Sequence, residues 1–263
     1  MELPVTKRGV KSVNPHTLLI YSAPKVGKTT ILGGLEDTLI VELEPHGADY
    51  IEGMIVEIDK PSKFNELLDS IAKANAEKGG YVYQRIAIDT VSKLDEWSEI
   101  TGTYRYMNKP QGISFNRKNS IKNGEVIPHT SPLFESVHEI PNGFGYKHSR
   151  EEMTDWYDKL TVLAPEIILI AHIKDKLVES KTGDTVETRD INLTGKVKSI
   201  FSSRVDGIGY LHRKDNKGIL SFNPKDNLVC GGRCKHLTGD IEISERLEDG
   251  TIKTYWDRIY LKL

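Results

Sequence analysis

The sequence predicts an α/β fold, with a mostly parallel sheet flanked by helices and antiparallel strands at the C-terminal end. Two observations lead there. Short apolar runs alternate with stretches of helical periodicity along much of the chain, and that alternation builds parallel strands joined by crossover helices. After Gly207 the rhythm changes to short strands and tight turns, with Asp215-Asn216-Lys217-Gly218 and Glu248-Asp249-Gly250 as hairpin signals.

Each element has its own signal. Thr17–Tyr21 is an apolar strand, Lys28–Leu35 a helix and Thr38–Leu43 a second strand. Met54–Ile58 is a short third strand. In the helix expected over Ser62–Glu77, Phe64, Leu67, Leu68, Ile71 and Ala72 fall on one face, and Gly79-Gly80 ends it. Tyr83–Ile88 is the next strand, followed by helices at Val91–Ile100 and Glu151–Ala164. Ile167–Ala171, the longest apolar run, is a buried strand. Two stretches break the rhythm and are expected as loops: Thr101–Arg150, polar and rich in Asn, Gly, Pro and aromatics, and the charged Lys174–Asp190. Residues 1–263 are expected to form a single domain, with 101–150 as an insertion and 207–263 as an antiparallel extension of the core.

The 263 residues are 38% hydrophobic and 28% charged, the balance of a globular protein with a sizeable core. Met1–Lys11 is polar and basic, unlike a secretory signal. No stretch reaches the roughly 18 apolar residues of a membrane helix. The only cysteines, Cys230 and Cys234, exclude a disulfide framework and point to a reducing cytoplasm. With His236 they make C-x3-C-x-H, which lacks the second ligand pair of a structural zinc site. A net charge of −2 argues neither for nor against nucleic acid.

The decisive motif is Ser22-Ala23-Pro24-Lys25-Val26-Gly27-Lys28-Thr29, followed by Thr30. It matches G-x4-G-K-[ST] except that Ser22 stands in place of the first glycine, and it lies between an apolar strand and a helix. Small residues let backbone N–H groups turn inward around phosphate oxygens, and the helix N-terminus faces the same anion. Lys28 would reach the β- and γ-phosphates of ATP, and the Thr29 hydroxyl would bind magnesium. Ile86-Ala87-Ile88-Asp89-Thr90 supplies the partner: Asp89 ends a strand where a magnesium carboxylate is needed. Taken alone, Asp89 reads better as a helix cap; paired with Lys28 across an intervening strand–helix unit, it reads as the magnesium ligand.

Thr90 occupies the position after Asp89 where many ATPases carry a catalytic Glu, so the water-positioning carboxylate must come from elsewhere. Glu44, at the end of Leu39-Ile40-Val41-Glu42-Leu43-Glu44-Pro45, is the candidate, with Glu42 second. His172 follows the strand Ile167–Ala171, where it either touches the γ-phosphate or is a packed, hydrogen-bonded side chain.

Tyr21–Thr30, the Glu44 region, Ile86–Thr90 and Ile167–His172 together resemble the phage nucleotide-binding ATPases of the RecA-like P-loop superfamily, a group that includes phage single-strand annealing recombinases. Asp190–Lys196 and Val205–Tyr210 share the likeness, which spans roughly Thr17–Ile241. The resemblance implies a RecA-like ATPase that assembles into homo-oligomeric rings or filaments on single-stranded DNA, in a bacterial host cytoplasm if phage-encoded. It also implies a basic residue reaching the neighbour's nucleotide, for which Arg233 and Lys235 are the candidates. Their alternative is a solvent-facing turn.

Residues 101–150 carry Arg105, Lys109, Arg117, Lys118, Lys122, Lys147 and Arg150 against Glu125, Glu135 and Glu139, seven minus three, or +4. Tyr104, Tyr106, Phe115, Phe134, Phe144 and Tyr146 are interleaved. Basic residues follow a phosphate backbone and aromatics stack on bases, so Tyr104, Arg105, Lys109, Phe115, Arg117 and Lys118, with Lys174 and Lys176, are the DNA-contact candidates. The alternative is a surface insertion whose aromatics pack on the core. Two other functions compete: a RecA-like switch acting on protein partners, and a small-molecule kinase, which would need a lid and an acceptor-binding acid that the sequence does not clearly offer.

Overall fold

In the computed structural model, parallel strands β9, β1, β7, β4, β2 and β3 lie side by side in that order. The structure describes residue 3 and residues 5–110, 112, 121–122, 125–126, 136–179, 185–224 and 228–262. These core strands are β1 (Thr17–Ser22), β2 (Thr38–Glu42), β3 (Met54–Glu57), β4 (Arg85–Asp89), β7 (Glu166–Glu179) and β9 (Gly207–Lys214). The pair β5 (Ile121–Lys122) and β6 (Glu125–Val126) stands apart as a two-stranded sheet. Strand β8 (Thr185–Ile191) pairs with the outer half of β7. Antiparallel β10 (Lys217–Ser221), β12 (Asp240–Arg246) and β13 (Ile252–Thr254) extend the sheet beyond β9, and the short β11 (Gly231–Gly232) also pairs with β9. The α/β class, the parallel core and the antiparallel C-terminal strands are as expected, and both hairpin signals fall at turns.

One boundary moves. β9 was expected to open the antiparallel extension, yet it runs parallel to β1, with Leu18 opposite Gly207 and Tyr21 opposite Tyr210. The antiparallel part begins at β10. A change in strand spacing along the sequence marks the hairpin and carries no information on the direction of the strand feeding it.

The helices are α1 (Lys28–Leu32), α2 (Pro61–Lys78), α3 (Val91–Met107), α4 (Tyr146–Leu160) and α5 (Gly195–Arg204). α2 begins on Pro61, whose missing N–H costs nothing in a first turn, and ends on Gly79 at φ 68°, the left-handed cap that glycine adopts freely. Its Phe64, Leu68 and Ile71 are buried. They join one of two core layers, with Trp97 of α3, Trp156 of α4 and Phe201 of α5, on one face of the sheet. The other layer holds Ile31 and Leu32 of α1 against Leu211, Leu220, Phe222, Ile243 and Trp256.

Parts of both expected loops are helix or strand among the described residues. α3 continues seven residues past Ile100, through Thr101-Gly102-Thr103, residues of poor helix propensity. Packing overrides the propensity: a Cβ on Gly102 would stand 2.8 Å from the backbone nitrogen of Ser149, so glycine lets α4 approach. α4 itself starts at Tyr146, five residues ahead of the expected Glu151. Lys174–Glu179 and Thr185–Asp190 pair as a β-ribbon, with Ile173 opposite Ile191 and Glu179 opposite Thr185. Backbone pairing makes that ribbon without an apolar run, so hydropathy does not signal it. Phe115, Arg117 and Lys118 lie outside the described residues. Among the described residues no helix is long and apolar enough to cross a membrane.

The C-terminal strands brace the helix that follows the phosphate loop. The Trp256 indole donates to the Ile31 carbonyl at 2.7 Å, in a buried environment. Trp256→Phe keeps most of the ring and removes the donor, leaving the Ile31 carbonyl only the long 3.4 Å bond from the Gly34 N–H. A loss of about 1–3 kcal/mol in unfolding free energy is expected from urea titration.

Candidate active site

Parallel pairing brings the C-terminal ends of β1, β2, β4, β7 and β9 to one edge of the sheet, where ligands bind in open α/β folds. Ser22 lies opposite His172, Glu42 opposite Asp89, and Asp89 opposite Ile170. The candidates Lys28, Thr29, Glu44, Asp89 and His172 therefore converge there.

The loop Ser22–Thr29 leaves β1 and enters α1 through Gly27, which sits at φ 112°, with Lys25 also left-handed at φ 62°. Ser22 is the last residue of β1 and has no positive φ, so the position does not require the glycine of the motif. Its hydroxyl is used instead: the Lys28 amine lies 3.4 Å from Ser22 Oγ, 3.5 Å from the Ser22 carbonyl and 3.2 Å from the Ala23 carbonyl. Lys28 is 7% exposed. Burial lowers its pKa, opposed by the negative charges of Asp89 and Glu44.

The Thr29 hydroxyl donates to Asp89 Oδ2 at 2.5 Å. Asp89 is buried, and that burial raises its pKa against the pull of Thr29 and Lys28. A buried carboxylate short of countercharge, beside a threonine hydroxyl, is a pair of hard oxygen donors suited to magnesium. That ion usually takes one or two carboxylates and fills its remaining positions with phosphate and water. Among the described residues no group of three or more His, Cys, Asp or Glu side chains could hold a metal ion.

Glu42 and Glu44 have separate tasks. Glu42 Oε1 accepts from the backbone N–H of Ala48 at 2.8 Å and is buried, so it holds the turn that carries Glu44. Glu44 Oε1 accepts from Thr90 Oγ1 at 3.0 Å and meets His172 Nε2 at 2.8 Å. The hydrogen bond to His172, then the charges and donors around it, hold the Glu44 carboxyl below its usual pKa, although partial burial opposes them.

Two hydroxyl residues to which the sequence assigned no bonding role complete this arrangement. Thr90 caps α3 by accepting from the Lys93 N–H while donating to Glu44. Ser92 Oγ accepts from the His172 N–H and donates to the Asn192 carbonyl, both at 3.0 Å, and the Asn192 N–H reaches the His172 carbonyl at 2.9 Å. Their signal was present as Thr90-Val91-Ser92, small hydroxyls just after a strand-end acid. A third unforeseen residue is Arg213 of β9, whose Nε donates to the Val26 carbonyl at 2.9 Å. A single arginine far along the chain carries no motif to announce it.

A family model described as an AAA domain matches residues 14–234. The chain belongs to that family. Nucleotide binding and ATPase chemistry on a P-loop fold come with membership in it. No curated protein matches this AAA domain.

The other candidates lie elsewhere. Arg233 sits at the opposite end of the sheet from the phosphate loop, since Gly232 pairs with Gly207 and Gly207 with Leu18 at the start of β1. Its guanidinium is tied to Asp206 and to the Ser203 carbonyl of its own chain. Lys235 is exposed. Arg105 is not a free cation: it bridges α3 to α4 through Glu152 and Asp155, each at 3.0 Å. Lys109 lies 3.7 Å from Glu151, which Lys147 also approaches at 3.6 Å. Acids on α4, beyond the end of the segment counted in the sequence, thus neutralise part of its positive surplus. Tyr104 is 69% exposed. Lys174 is exposed on the β-ribbon, and Lys176 lies further along β7, opposite Thr188.

The division of labour between the two glutamates has a direct consequence for folding. Glu42→Ala strands the buried Ala48 N–H and is expected to cost about 1–3 kcal/mol of stability. Glu44→Ala should change it by less than about 1 kcal/mol, because the side chain is only half-buried and its partners Thr90 and His172 keep other hydrogen bonds. Urea unfolding of both variants measures the contrast.

Proposed function

We propose that this AAA domain hydrolyses ATP with Glu44 as general base, and that His172 passes the state of the γ-phosphate to a surface that binds single-stranded DNA. The observation that carries this reading is the bonding of Glu44 to both Thr90 and His172, beside Lys28, Thr29 and Asp89. Backbone N–H groups of Lys25–Thr30 cradle the phosphates, and Lys28 exchanges its carbonyl partners for phosphate oxygens. Thr29 and Asp89 would hold magnesium, which would supply countercharge to the phosphates. Both hydrogen bonds to Glu44 fall on Oε1, which leaves Oε2 to take a proton from the water that attacks the γ-phosphorus as ADP departs.

The same bonds support coupling. A change at His172 reaches Asn192 and Ser92 directly, and through Asn192 the turn into α5, where the Thr194 N–H is held by Asp95 at 2.5 Å. Thr194, Gly195, Lys196 and Val197 line a cleft of about 490 Å³ with Phe144, Tyr146, Lys147 and Arg150. The cleft combines cations, exposed aromatics and a helix N-terminus, which favours a phosphate backbone with stackable bases. The single-strand annealing kinship implied by sequence fits this surface better than the packed Arg105 and Lys109. Neutralisation of those two cations is the observation that favours the second reading, a switch acting on a protein partner.

The reading includes a homo-oligomer. Arg233 and Lys235 lie at the end of the sheet opposite their own phosphate loop, so a head-to-tail contact would present them to the loop of the next subunit. Lys235, exposed where Arg233 is tied down, is the freer of the two to serve there.

ATP turnover by purified protein, with and without single-stranded DNA, tests the proposal. Glu44→Gln should retain ATP binding and lose turnover by roughly 10²–10⁴-fold; normal turnover would refute the general base. His172→Gln removes the largest influence lowering the Glu44 pKa. The base then protonates at higher pH, so the acid limb of the pH–rate profile should move upward.

DNA binding is expected to depend on salt. Replacing Arg150, Lys174 and Lys196 together should flatten the slope of log affinity against log salt by up to about 2 units, and Phe144→Ala should weaken binding by roughly 1–3 kcal/mol. Binding isotherms over a salt series with a slowly hydrolysed ATP analogue provide the measurement. A wild-type protein that binds no single strand in any nucleotide state would decide for the protein partner.

A further inference from the structure

The phosphate loop is flanked by a second cation that the mechanism above does not use. β9 runs beside β1 in parallel, so its C-terminal end emerges next to the loop. Alternate residues of a strand face opposite sides of the sheet. Tyr210 joins the core layer of α3, α4 and α5, whereas Leu211 joins the layer of α1. Arg213, two residues on, shares the side of Leu211, which is the side of α1 and the loop. There its Nε donates to the Val26 carbonyl at 2.9 Å. A terminal guanidinium nitrogen lies 3.4 Å from the point where a Cβ on Gly27 would stand, and that point is 3.9 Å from Thr30 Oγ1.

The guanidinium is exposed, and among the described residues no carboxylate pairs with it. It has five N–H donors in a rigid fork, of which the Val26 bond uses one. A backbone acceptor therefore fixes a cation, with most of its donors unspent, at the rim of an anion-binding loop.

We propose that Arg213 is a nucleotide-binding residue acting within its own chain on the α- and β-phosphates. The proposal rests on the nucleotide-binding reading of the loop. Sheet order assigns the phosphates: β9 lies on one side of β1, while β7 and β4, which carry His172 and Asp89, and β2, which leads into Glu44, lie on the other. The γ-phosphate belongs beside Glu44 and Lys28. Arg213, next to Gly27 and Thr30, approaches from the opposite flank and reaches the part of the nucleotide that ATP and ADP share. Its contribution falls on binding of both nucleotides, in contrast to a finger directed at the γ-phosphate, which acts on the hydrolytic step. The Val26 bond holds the fork at the rim, and the terminal nitrogens are free for phosphate oxygens.

Calorimetric titration with magnesium and ADP, together with steady-state ATP hydrolysis, tests this in the wild type, Arg213→Ala, Arg213→Lys and Lys28→Ala. Arg213→Ala should weaken ADP binding by about tenfold or more, the size expected of a hydrogen bond to a charged group. The KM for ATP should rise by a similar factor, with kcat changing less. Arg213→Lys should recover part of the loss, because charge returns without the planar fork. The melting temperature of nucleotide-free Arg213→Ala should stay within about 2 °C of wild type, the mark of an exposed side chain with one bond. ADP affinity within about twofold of wild type in Arg213→Ala, while Lys28→Ala abolishes binding, would overturn the assignment and leave the nucleotide reading intact. An effect confined to kcat, or a loss of melting temperature large enough to explain the weaker binding, would also overturn it. A wild-type protein that binds no ADP would remove the nucleotide reading and Arg213's role together.

Discussion

Parallel registry around β1 is the constraint on which the candidate site depends. Because β9, β7, β4 and β2 all run with β1, each of their C-terminal ends delivers one polar residue to the same edge. A strand reversed in direction would carry its residue to the far end, roughly 17 Å away across five residues of strand. Apolar packing fixes the registry. A slip of one residue would turn Ile86, Ile88, Ile167 and Leu169 out of one core layer and into the other. Precision at the polar edge thus comes from hydrophobic contacts beneath it, and the site residues need contribute little to their own placement.

Polar bonding refines what the sheet positions only coarsely. Glu42 and Glu44 are two residues apart on one strand end, yet one closes a turn and the other meets His172. The choice is made by geometry after the strand: the Ala48 N–H falls within reach of Glu42 and leaves Glu44 to face Thr90. α3 contributes from its first turn, where Thr90 and Ser92 bond to different neighbours while starting the helix. One helix start thereby links the end of β2 to the end of β7.

Much of this was legible in the sequence because its signals are local. A strand, a glycine-bearing loop and a helix in succession specify the environment of Lys28 and Thr29, and an apolar run ending in Asp89 reports a strand tip, whereas β7 runs on past His172 into the ribbon. Ser22 was the apparent exception to the motif, and its ordinary backbone angle explains why a serine serves. The illegible parts depend on long-range pairing. The direction of β9, the ribbon formed by β7 and β8 and the ion pairs of Arg105 each involve partners many residues away, and neither hydropathy nor local charge encodes which partner is met. The charge surplus of residues 101–150 is smaller in the fold than along the sequence for the same reason: acids that answer part of it lie on α4, just beyond the segment. Family membership confirms nucleotide binding and ATPase chemistry in general terms, while the roles of single residues rest on the geometry.

The helix after the phosphate loop spans only Lys28–Leu32, far short of the roughly 12–15 residues at which an isolated helix becomes even marginal in water. It persists by leaning on Trp256, Ile259 and Tyr260, and on the close fit of Gly34 against Thr254. The Trp256–Ile31 bond spans 225 positions, so a motif written in eight consecutive residues takes its shape from contacts that close across most of the fold. Such closure is entropically costly and comes late in folding. The phosphate loop thus carries its chemistry locally and its rigidity from afar, and a disturbance in the C-terminal strands reaches it without touching a site residue.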